Sequence, residues 1–210
     1  MKKIVIIGAP GAGKSTLARA LHGILKIKVF HLDRLFWSPG WKRKPGDTRI
    51  DILQKKLQEK QWIIEGTYPV FGFQLDWADT IIFLDTPSLL CLLRIWQRRY
   101  EYDGRARRDI PEGCTNKLNL YLIWRVWRFW RRDRRSLEQK LDELKVSKQI
   151  IRLKPGRAVE AFLAQQKQRT DNADELISPV AVLQSDPGTL LYLRRICAVL
   201  SLKPWVKITQ

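Results

Sequence analysis

Short apolar runs alternate with longer, more polar stretches along the first 170 residues of the chain. Five of these runs are three to five residues long and rich in β-branched side chains, over residues 4–7, 29–32, 62–64, 80–84 and 149–153. Such runs are typical of strands that are buried on both faces. The stretches between them have the length and apolar spacing of helices, over residues 15–25, 48–60, 88–100, 117–144 and 158–168. Strands that alternate with helices predict an α/β domain with a mainly parallel sheet.

The pattern changes after residue 169. Residues 170–174 are polar, Pro179 and Pro187 interrupt the chain, and a short apolar helical stretch follows over residues 189–200. That stretch is too short to span a membrane and is better explained as a packing face. We therefore expect a main domain over residues 1–169 and an appended tail with one short helix over residues 170–210.

The composition adds a strong positive charge. The 210 residues contain 39 basic and 21 acidic side chains, a formal net charge of +18, and the excess is largest at residues 94–135, mostly as arginine. One guanidinium group can bind two phosphate oxygens at once. Three widely spaced cysteines argue against a disulfide framework or a zinc site, and no apolar run suits a transmembrane helix or signal peptide. We expect a cytoplasmic protein, a monomer or weak dimer without a membrane partner, that binds a phosphate-rich or polyanionic partner.

A glycine-rich segment directly follows the first predicted strand and opens the first predicted helix. It fits the P-loop pattern G-x-x-x-x-G-K-[ST] with Gly8, Ala9, Pro10, Gly11, Ala12, Gly13, Lys14 and Ser15. Glycines let successive backbone N–H groups face one centre, and the helix N-terminus adds positive potential for a phosphate. In this pattern Lys14 bridges β- and γ-phosphate oxygens and the Ser15 hydroxyl binds Mg²⁺. The motif in this context predicts a site for ATP and Mg²⁺.

Three carboxylates directly follow predicted strands. Asp33, Glu65 and Asp85 each come at the carboxyl end of an apolar run. Ligands of parallel α/β sheets bind at that edge. A carboxylate there can hold Mg²⁺ through water or accept a proton from a substrate hydroxyl. We therefore expect these acids beside the phosphate loop.

The order of these segments resembles a known family. The phosphate loop, HLD at residues 31–33, WIIEG at 62–66 and IFLDTP at 82–87 resemble the adenylate-kinase and shikimate-kinase class of small P-loop kinases. RIWQRR at residues 94–99 is similar to the stretch that leads into the adenylate-kinase lid. A closer resemblance, over about residues 1–165, is to the topology modulation proteins (FlaR-like). It rests on HLDRLFWSPGW at 31–41, WIIEGTY at 62–68, RARRDIPEGC at 105–114 and the Trp/Arg helix that follows, at residues 117–135.

The resemblance implies a P-loop nucleoside triphosphatase fold whose five-stranded, mainly parallel sheet has the order 2-3-1-4-5, flanked by helices, with a short arginine-rich lid over about residues 101–116. It implies that residues 8–16, the last of which is Thr16, surround the nucleotide phosphates as the phosphate cradle. It also makes Glu65 an acid that reaches Mg²⁺ through water. It places Asp33 at the acceptor site and Arg94 and Arg98 on the ATP phosphates. The other residues expected at the acceptor site or in the lid are His31, Trp37, Gly66, Tyr68, Arg105, Arg107 and Arg108.

One hypothesis is phosphoryl transfer from ATP–Mg²⁺ to a small acceptor, either a nucleotide or a metabolite hydroxyl. Such transfer needs in-line positioning and positive charge around the γ-phosphoryl oxygens. Lys14 and Mg²⁺ supply this charge from one side, and Arg94 and Arg98, one helical turn apart, supply it from the other together with the lid arginines. Asp33 is the candidate that orients or deprotonates the acceptor hydroxyl.

The second hypothesis is a nucleotide-regulated nucleic-acid-binding protein that affects DNA topology through the basic Trp/Arg helix of residues 117–135. On a helix, four of its arginines share one stripe, and the aromatic side chains between them can stack on exposed bases. These arginines are Arg125, Arg128, Arg132 and Arg135. The alternative interpretation is that Trp124, Trp127 and Trp130 pack against the sheet while the arginines bind ATP phosphates. The sequence leaves the DNA partner and the acceptor open.

Overall fold

The computed structural model describes residues 1–66, 72–101 and 120–177. The chain divides into two units, Met1–Gln166 and Lys167–Gln210. The described strands are β1 Lys3–Gly8, β2 Val29–His31, β3 Trp37–Ser38, β4 Lys42–Arg43, β5 Trp62–Gly66, β6 Thr80–Leu84 and β7 Gln149–Leu153. The described α-helices are α1 Lys14–Leu25, α2 Leu32–Phe36, α3 Gly46–Leu57, α4 Phe73–Trp77, α5 Ser88–Glu101, α6 Leu120–Arg128, α7 Arg134–Leu144 and α8 Arg157–Ile177. None of these helices is long and apolar enough to cross a membrane.

Five strands form one parallel sheet in the order β2–β5–β1–β6–β7. Counted along the chain without the β3–β4 hairpin, this is the order 2-3-1-4-5, so the expected fold class is confirmed. Residues 4–7 of the central strand β1 are completely buried, as expected for a parallel strand whose sheet is covered on both faces. Because all five strands run in one direction, their carboxyl ends meet at one edge of the sheet.

The helices pack on the sheet through the apolar faces that the sequence pattern predicts. α1 buries Leu17, Ala18 and Leu21 along one face, and α3 buries Leu53 and Leu57. Each fully buried leucine contributes about 1.5–3 kcal/mol relative to an exposed one. Burial of these side chains therefore holds both helices in place and fixes the loops at the carboxyl edge.

The segment after β2 differs from the sequence prediction. The strand predicted over residues 29–32 ends at His31, because Leu32 opens α2 and buries its side chain there. An antiparallel hairpin of β3 and β4, with a 3-10 turn Pro39–Trp41 between its strands, lies in the stretch between residues 32 and 48, for which the pattern predicts no helix or strand. The short helix α4 is a further element that the sequence pattern does not predict.

The helix predicted over residues 117–144 is interrupted by a π-helical turn, Phe129–Asp133, between α6 and α7; residues 117–119 lie outside the described part. Leu137 follows Phe129 by eight residues, and both are buried. In a regular α-helix that spacing would rotate Leu137 about 80° away from Phe129. The wider π turn takes up this offset, so both side chains face the core.

Candidate functional site

The predicted phosphate loop joins β1 to α1 at the carboxyl edge of the sheet. Gly11 and Gly13 have φ angles of 81° and 101°, in the left-handed region that favours glycine. The Ala12 N–H donates a hydrogen bond of 3.1 Å to the Ala9 carbonyl oxygen and closes the loop. Gly13 caps α1 without a side chain, and the first turn contains no acidic residue. The N–H groups at the start of α1 therefore lack a side-chain cap and suit a bound phosphate.

The loop packs tightly against the helix α5. A Cβ atom on Gly11 would lie 2.5 Å from the Cys91 carbonyl oxygen, so glycine is required there for space as well as for conformation. Burial raises the pKa of the Cys91 thiol to about 11, although Lys14 and Arg94 oppose the shift. The thiol is therefore protonated at neutral pH and acts as a small apolar side chain.

The remaining members of the predicted cradle occupy the same strand–loop–helix segment. Gly8 ends β1, Pro10 is buried within the loop, and Thr16 is exposed in the first turn of α1. The complete run from residue 8 to residue 16 therefore lies at the carboxyl edge of the sheet.

Lys14, the lysine of the motif, is only 7% exposed, and its Nζ donates a hydrogen bond of 2.9 Å to the Ala9 carbonyl oxygen. Its pKa is lowered chiefly by this burial, whereas the negative charges of Glu65 and Asp33 raise it and the positive charge of Arg125 lowers it further. A buried ammonium group costs free energy unless anions compensate it. Glu65 and Asp33 supply part of that compensation, and the phosphates of a nucleotide would supply more.

The carboxylate of Glu65 connects two other predicted site residues. It is 5% exposed, and its Oε1 accepts a hydrogen bond of 3.0 Å from Ser15 Oγ and lies 2.8 Å from His31 Nδ1. The sheet explains the contact with histidine, since His31 of β2 is in register with Glu65 of β5. The structure thus brings together the predicted metal ligands Ser15 and Glu65. The family resemblance implies a place for His31 at the acceptor site, and nothing in the sequence indicates this contact.

The other residues predicted near the acceptor lie on the segments after β2 and β5. Asp33 is exposed in the first turn of α2. Trp37 of the hairpin packs edge to face against Trp41, with 5.7 Å between ring centroids. Gly66 ends β5, and a Cβ there would lie 2.5 Å from a leucine side chain of α2. Gly66 therefore has a packing reason to be glycine.

Arg94 contacts the phosphate loop from α5. Its Nη1 donates a hydrogen bond of 3.0 Å to the Ala12 carbonyl oxygen, and the buried hydroxyl of Thr86 donates to the same oxygen at 3.2 Å. Two donors on one carbonyl hold that peptide in a fixed orientation. Sequence reasoning misses Thr86, whose only signal is its position after the strand β6. Arg98 lies half-buried one turn further along α5.

Four further predicted residues fall outside the part of the chain that the structure describes. They are Tyr68 of the acceptor site and Arg105, Arg107 and Arg108 of the lid.

Asp85, the third acid at a strand end, contacts a different element. Its Oδ2 accepts a hydrogen bond of 3.1 Å from Arg134, and its N–H donates to the Leu153 carbonyl oxygen at 2.9 Å. The guanidinium of Arg134 also stacks over Trp130, 4.6 Å from the ring centroid. Asp85 therefore anchors α7 and β7 at the edge of the sheet.

Comparisons with solved structures give low similarity. A shikimate kinase from Acinetobacter baumannii in complex with shikimate is 13% identical, with a TM-score of 0.47, over 84% of this chain and 93% of that one. An unliganded sugar kinase from Janibacter sp. HTCC2649 is 15% identical, with a TM-score of 0.41, over 80% and 91%. A shikimate kinase from Bacteroides thetaiotaomicron is 16% identical, with a TM-score of 0.42, over 82% and 98%.

Comparison with sequence families gives a match over most of the chain. No curated protein matches the sequence. A family model described as an AAA domain matches residues 3–163, from the first strand into the first two turns of α8. This match includes the phosphate loop and all five strands of the parallel sheet. Because the model covers more than half of the chain, the protein belongs to the AAA domain family.

Proposed function

We propose that the chain is a kinase of the adenylate-kinase-like class that transfers the γ-phosphoryl group of ATP–Mg²⁺ to a small acceptor, a nucleotide or a metabolite hydroxyl. The observation that carries the proposal is the buried ammonium of Lys14 beside the Ser15–Glu65 pair at an uncapped helix N-terminus. A loop that only connected β1 to α1 would gain nothing from burying a lysine. The resemblance of residues 31–41 and 62–68 to the topology modulation proteins supports the same class.

Lys14 is the residue that we expect to hold the β- and γ-phosphates. Without a ligand, burial lowers its pKa, and only part of that shift is offset by Glu65 and Asp33. A triphosphate brings several negative oxygens to the ammonium group and favours its charged form. The contact between Lys14 and the phosphates therefore both binds the nucleotide and places positive charge beside the γ-phosphoryl oxygens. This positive charge stays in place while negative charge is redistributed over those oxygens.

The oxygen donors at the loop fit a hard divalent cation. Ser15 Oγ and Glu65 Oε1 are 3.0 Å apart. Among the described residues, no cluster of three or more His, Cys, Asp or Glu side chains forms a metal site made of protein ligands alone. Mg²⁺ commonly takes one or two protein oxygens and fills its remaining positions with phosphate oxygens and water. When bound, it neutralises charge on the transferred phosphoryl group. The contact of His31 with Glu65 keeps the carboxylate oriented toward Ser15.

Asp33 is our candidate for the residue that orients or deprotonates the acceptor hydroxyl. It is exposed, at the carboxyl edge of the sheet, and close enough to raise the pKa of Lys14. Arg94 holds the Ala12 carbonyl and lies at the loop, so its positive charge is available to a bound phosphate. In this proposal Arg98, together with Arg105, Arg107 or Arg108, adds positive charge around the γ-phosphoryl oxygens of ATP.

Phosphoryl transfer from γ-labelled ATP to a panel of nucleoside monophosphates and small alcohols tests the proposal. We expect transfer to at least one acceptor by the wild type and none by Lys14→Ala, with an unchanged circular dichroism spectrum. Arg19→Ala is the matched control, because Arg19 is an exposed cation on the same helix. Equal transfer by Lys14→Ala, or no transfer to any acceptor by the wild type, would contradict the proposal.

A further inference from the structure

The outward face of α6 carries aromatic side chains that the fold does not bury. Trp124 and Trp127 are 44% and 56% exposed, and Tyr121 beside them is also exposed. The interpretation that the tryptophans of this segment pack against the sheet is wrong for these two, whereas Trp130 does pack against the core. Val126 occupies the inward face. Large aromatic side chains grouped on one exposed face indicate an interaction surface.

Arginines one turn further along the helix lie over these rings. The guanidinium of Arg128 is 5.3 Å from the ring centroid of Trp124, and that of Arg131 is 5.5 Å from the ring centroid of Trp127. Tyr121 stacks on Trp124 with 5.8 Å between centroids. A guanidinium held against a ring keeps its N–H donors in a defined plane. The face therefore presents cations that are held in a defined orientation against its aromatic rings.

Among the residues that the structure describes, much of the positive charge of this segment has no carboxylate partner. Residues 120–135 contain six arginines and one aspartate, a net charge of +5. Arg128 and Arg134 each lie within 4 Å of a carboxylate. Within the described part of the chain, ion pairs are lacking for three exposed arginines, Arg131, Arg132 and Arg135. A polyanion would supply the missing counter-charges.

We propose that this aromatic–arginine face, formed by Tyr121, Trp124, Trp127, Arg128 and Arg131, binds single-stranded nucleic acid. Guanidinium groups bind the phosphates, and Tyr121 and Trp127, whose side chains are more than half exposed, stack on bases. A duplex hides the faces of its bases, so it offers this surface only phosphates. A lipid surface favours aliphatic side chains that reach below the headgroups, whereas here each exposed tryptophan is paired with a guanidinium.

The aromatic–arginine face is separate from the proposed ATP site. Arg125, on another side of α6, is close enough to Lys14 to lower its pKa. Trp124 and Trp127 project to solvent instead. Binding of an oligonucleotide can therefore be measured while ADP–Mg²⁺ occupies the phosphate loop, and its outcome is independent of whether the chain is a kinase.

Fluorescence anisotropy of a short labelled oligothymidylate, titrated with the full-length chain in saturating ADP–Mg²⁺, tests the proposal. If three or four phosphates are neutralised, the logarithm of the affinity falls with the logarithm of salt concentration with a slope of about −2 to −3. Trp127→Ala should weaken binding about fivefold or more, because one stacked base is lost. Arg131→Gln should make the slope shallower by about 0.7.

Trp77→Ala is the matched control for the loss of an exposed tryptophan. Trp77 is 48% exposed and has the Lys3 ammonium 5.3 Å from its ring centroid, but it lies on α4. The Trp77→Ala variant should bind the oligonucleotide with the affinity of the wild type. Urea unfolding confirms that each variant is folded. Four outcomes would overturn the proposal: no binding, equal losses in Trp77→Ala and Trp127→Ala, equal affinity for a duplex of the same length, or binding only to vesicles of anionic lipid.

Discussion

The contact between the phosphate loop and α5 gives a quantitative prediction for Gly11→Ala. Gly11 has a φ angle of 81°, and a Cβ there would lie 2.5 Å from the Cys91 carbonyl oxygen and 3.0 Å from Ile95 Cγ1. A left-handed conformation costs a residue with a Cβ about 1–2 kcal/mol. Forcing an extra methyl group into a packed site costs about 1–3 kcal/mol more. We therefore expect Gly11→Ala to lower the free energy of unfolding by about 2–5 kcal/mol.

Gly40→Ala separates these two costs. Gly40 has a φ angle of 72°, and no atom lies within 4 Å of the position of its added Cβ. Only the conformational cost applies there, so we expect a loss of about 1–2 kcal/mol. Urea unfolding of both variants measures the difference as a shift of the midpoint at constant slope.

The clash at Gly11 also predicts a functional effect. The carbonyl that blocks the new methyl group belongs to α5, which carries Arg94 against the loop. Relief of the clash has to move the loop away from that helix, so ATP binding should weaken in Gly11→Ala but not in Gly40→Ala. Equal destabilisation of the two variants, with equal ATP affinity, would refute the argument that close packing fixes the loop.

Three further predictions concern neighbouring residues. Asp33→Asn should abolish phosphoryl transfer to an acceptor while ATP binding is retained. Asp47→Asn, which changes an exposed acid of α3, should leave transfer unchanged. Equal transfer rates for the two variants would exclude Asp33 from the reaction. Thr86→Val should cost about 0.5–1.5 kcal/mol in urea unfolding because Ala12 loses a hydrogen bond, and Thr86→Ser, which keeps the donor, should cost less. Burial raises the pKa of Cys91 from 9.0 to about 11, so the unfolded chain loses the thiol proton first and stability falls between these pH values. That loss is about 2–3 kcal/mol at most, and it should be absent in Cys91→Ser. If the free energy of unfolding depends on pH in the same way in the wild type and in Cys91→Ser, the raised pKa of Cys91 is contradicted.

The strands and the phosphate loop could be predicted because their signals are local. Each strand of the sheet is a short apolar run, and the central residues 4–7 are completely buried. The P-loop pattern combines glycines, a lysine and a serine in consecutive positions between a strand and a helix. Both predictions use only residues that are neighbours in the sequence, so they do not depend on which distant segments come into contact.

The contacts that complete the site could not be predicted because they join distant parts of the chain. His31 and Glu65 are 34 residues apart, and Thr86 and Ala12 are 74 residues apart. These pairs follow from strand register and from the path of α5 over the loop, which no local pattern records. The site therefore contains two residue pairs that only the tertiary structure reveals.

Residues 120–144 show a different limit of sequence reasoning. Their apolar spacing predicts one continuous helix, but packing of both Phe129 and Leu137 against the core requires a π turn. Large aromatic residues are usually taken as core residues, yet Trp124 and Trp127 are exposed. Hydrophobicity alone does not distinguish an aromatic side chain that packs inside from one that faces a partner.

Calorimetric titration of ATP–Mg²⁺ into the wild type and Lys14→Ala tests the central claim most directly. In the proposed function, the buried ammonium group of Lys14 pairs with the phosphates of ATP. Removing one partner of a buried charge pair costs about 2–5 kcal/mol, so the affinity of Lys14→Ala should fall about 30-fold or more. Unchanged affinity in a folded Lys14→Ala protein would contradict the claim that this loop binds ATP phosphates.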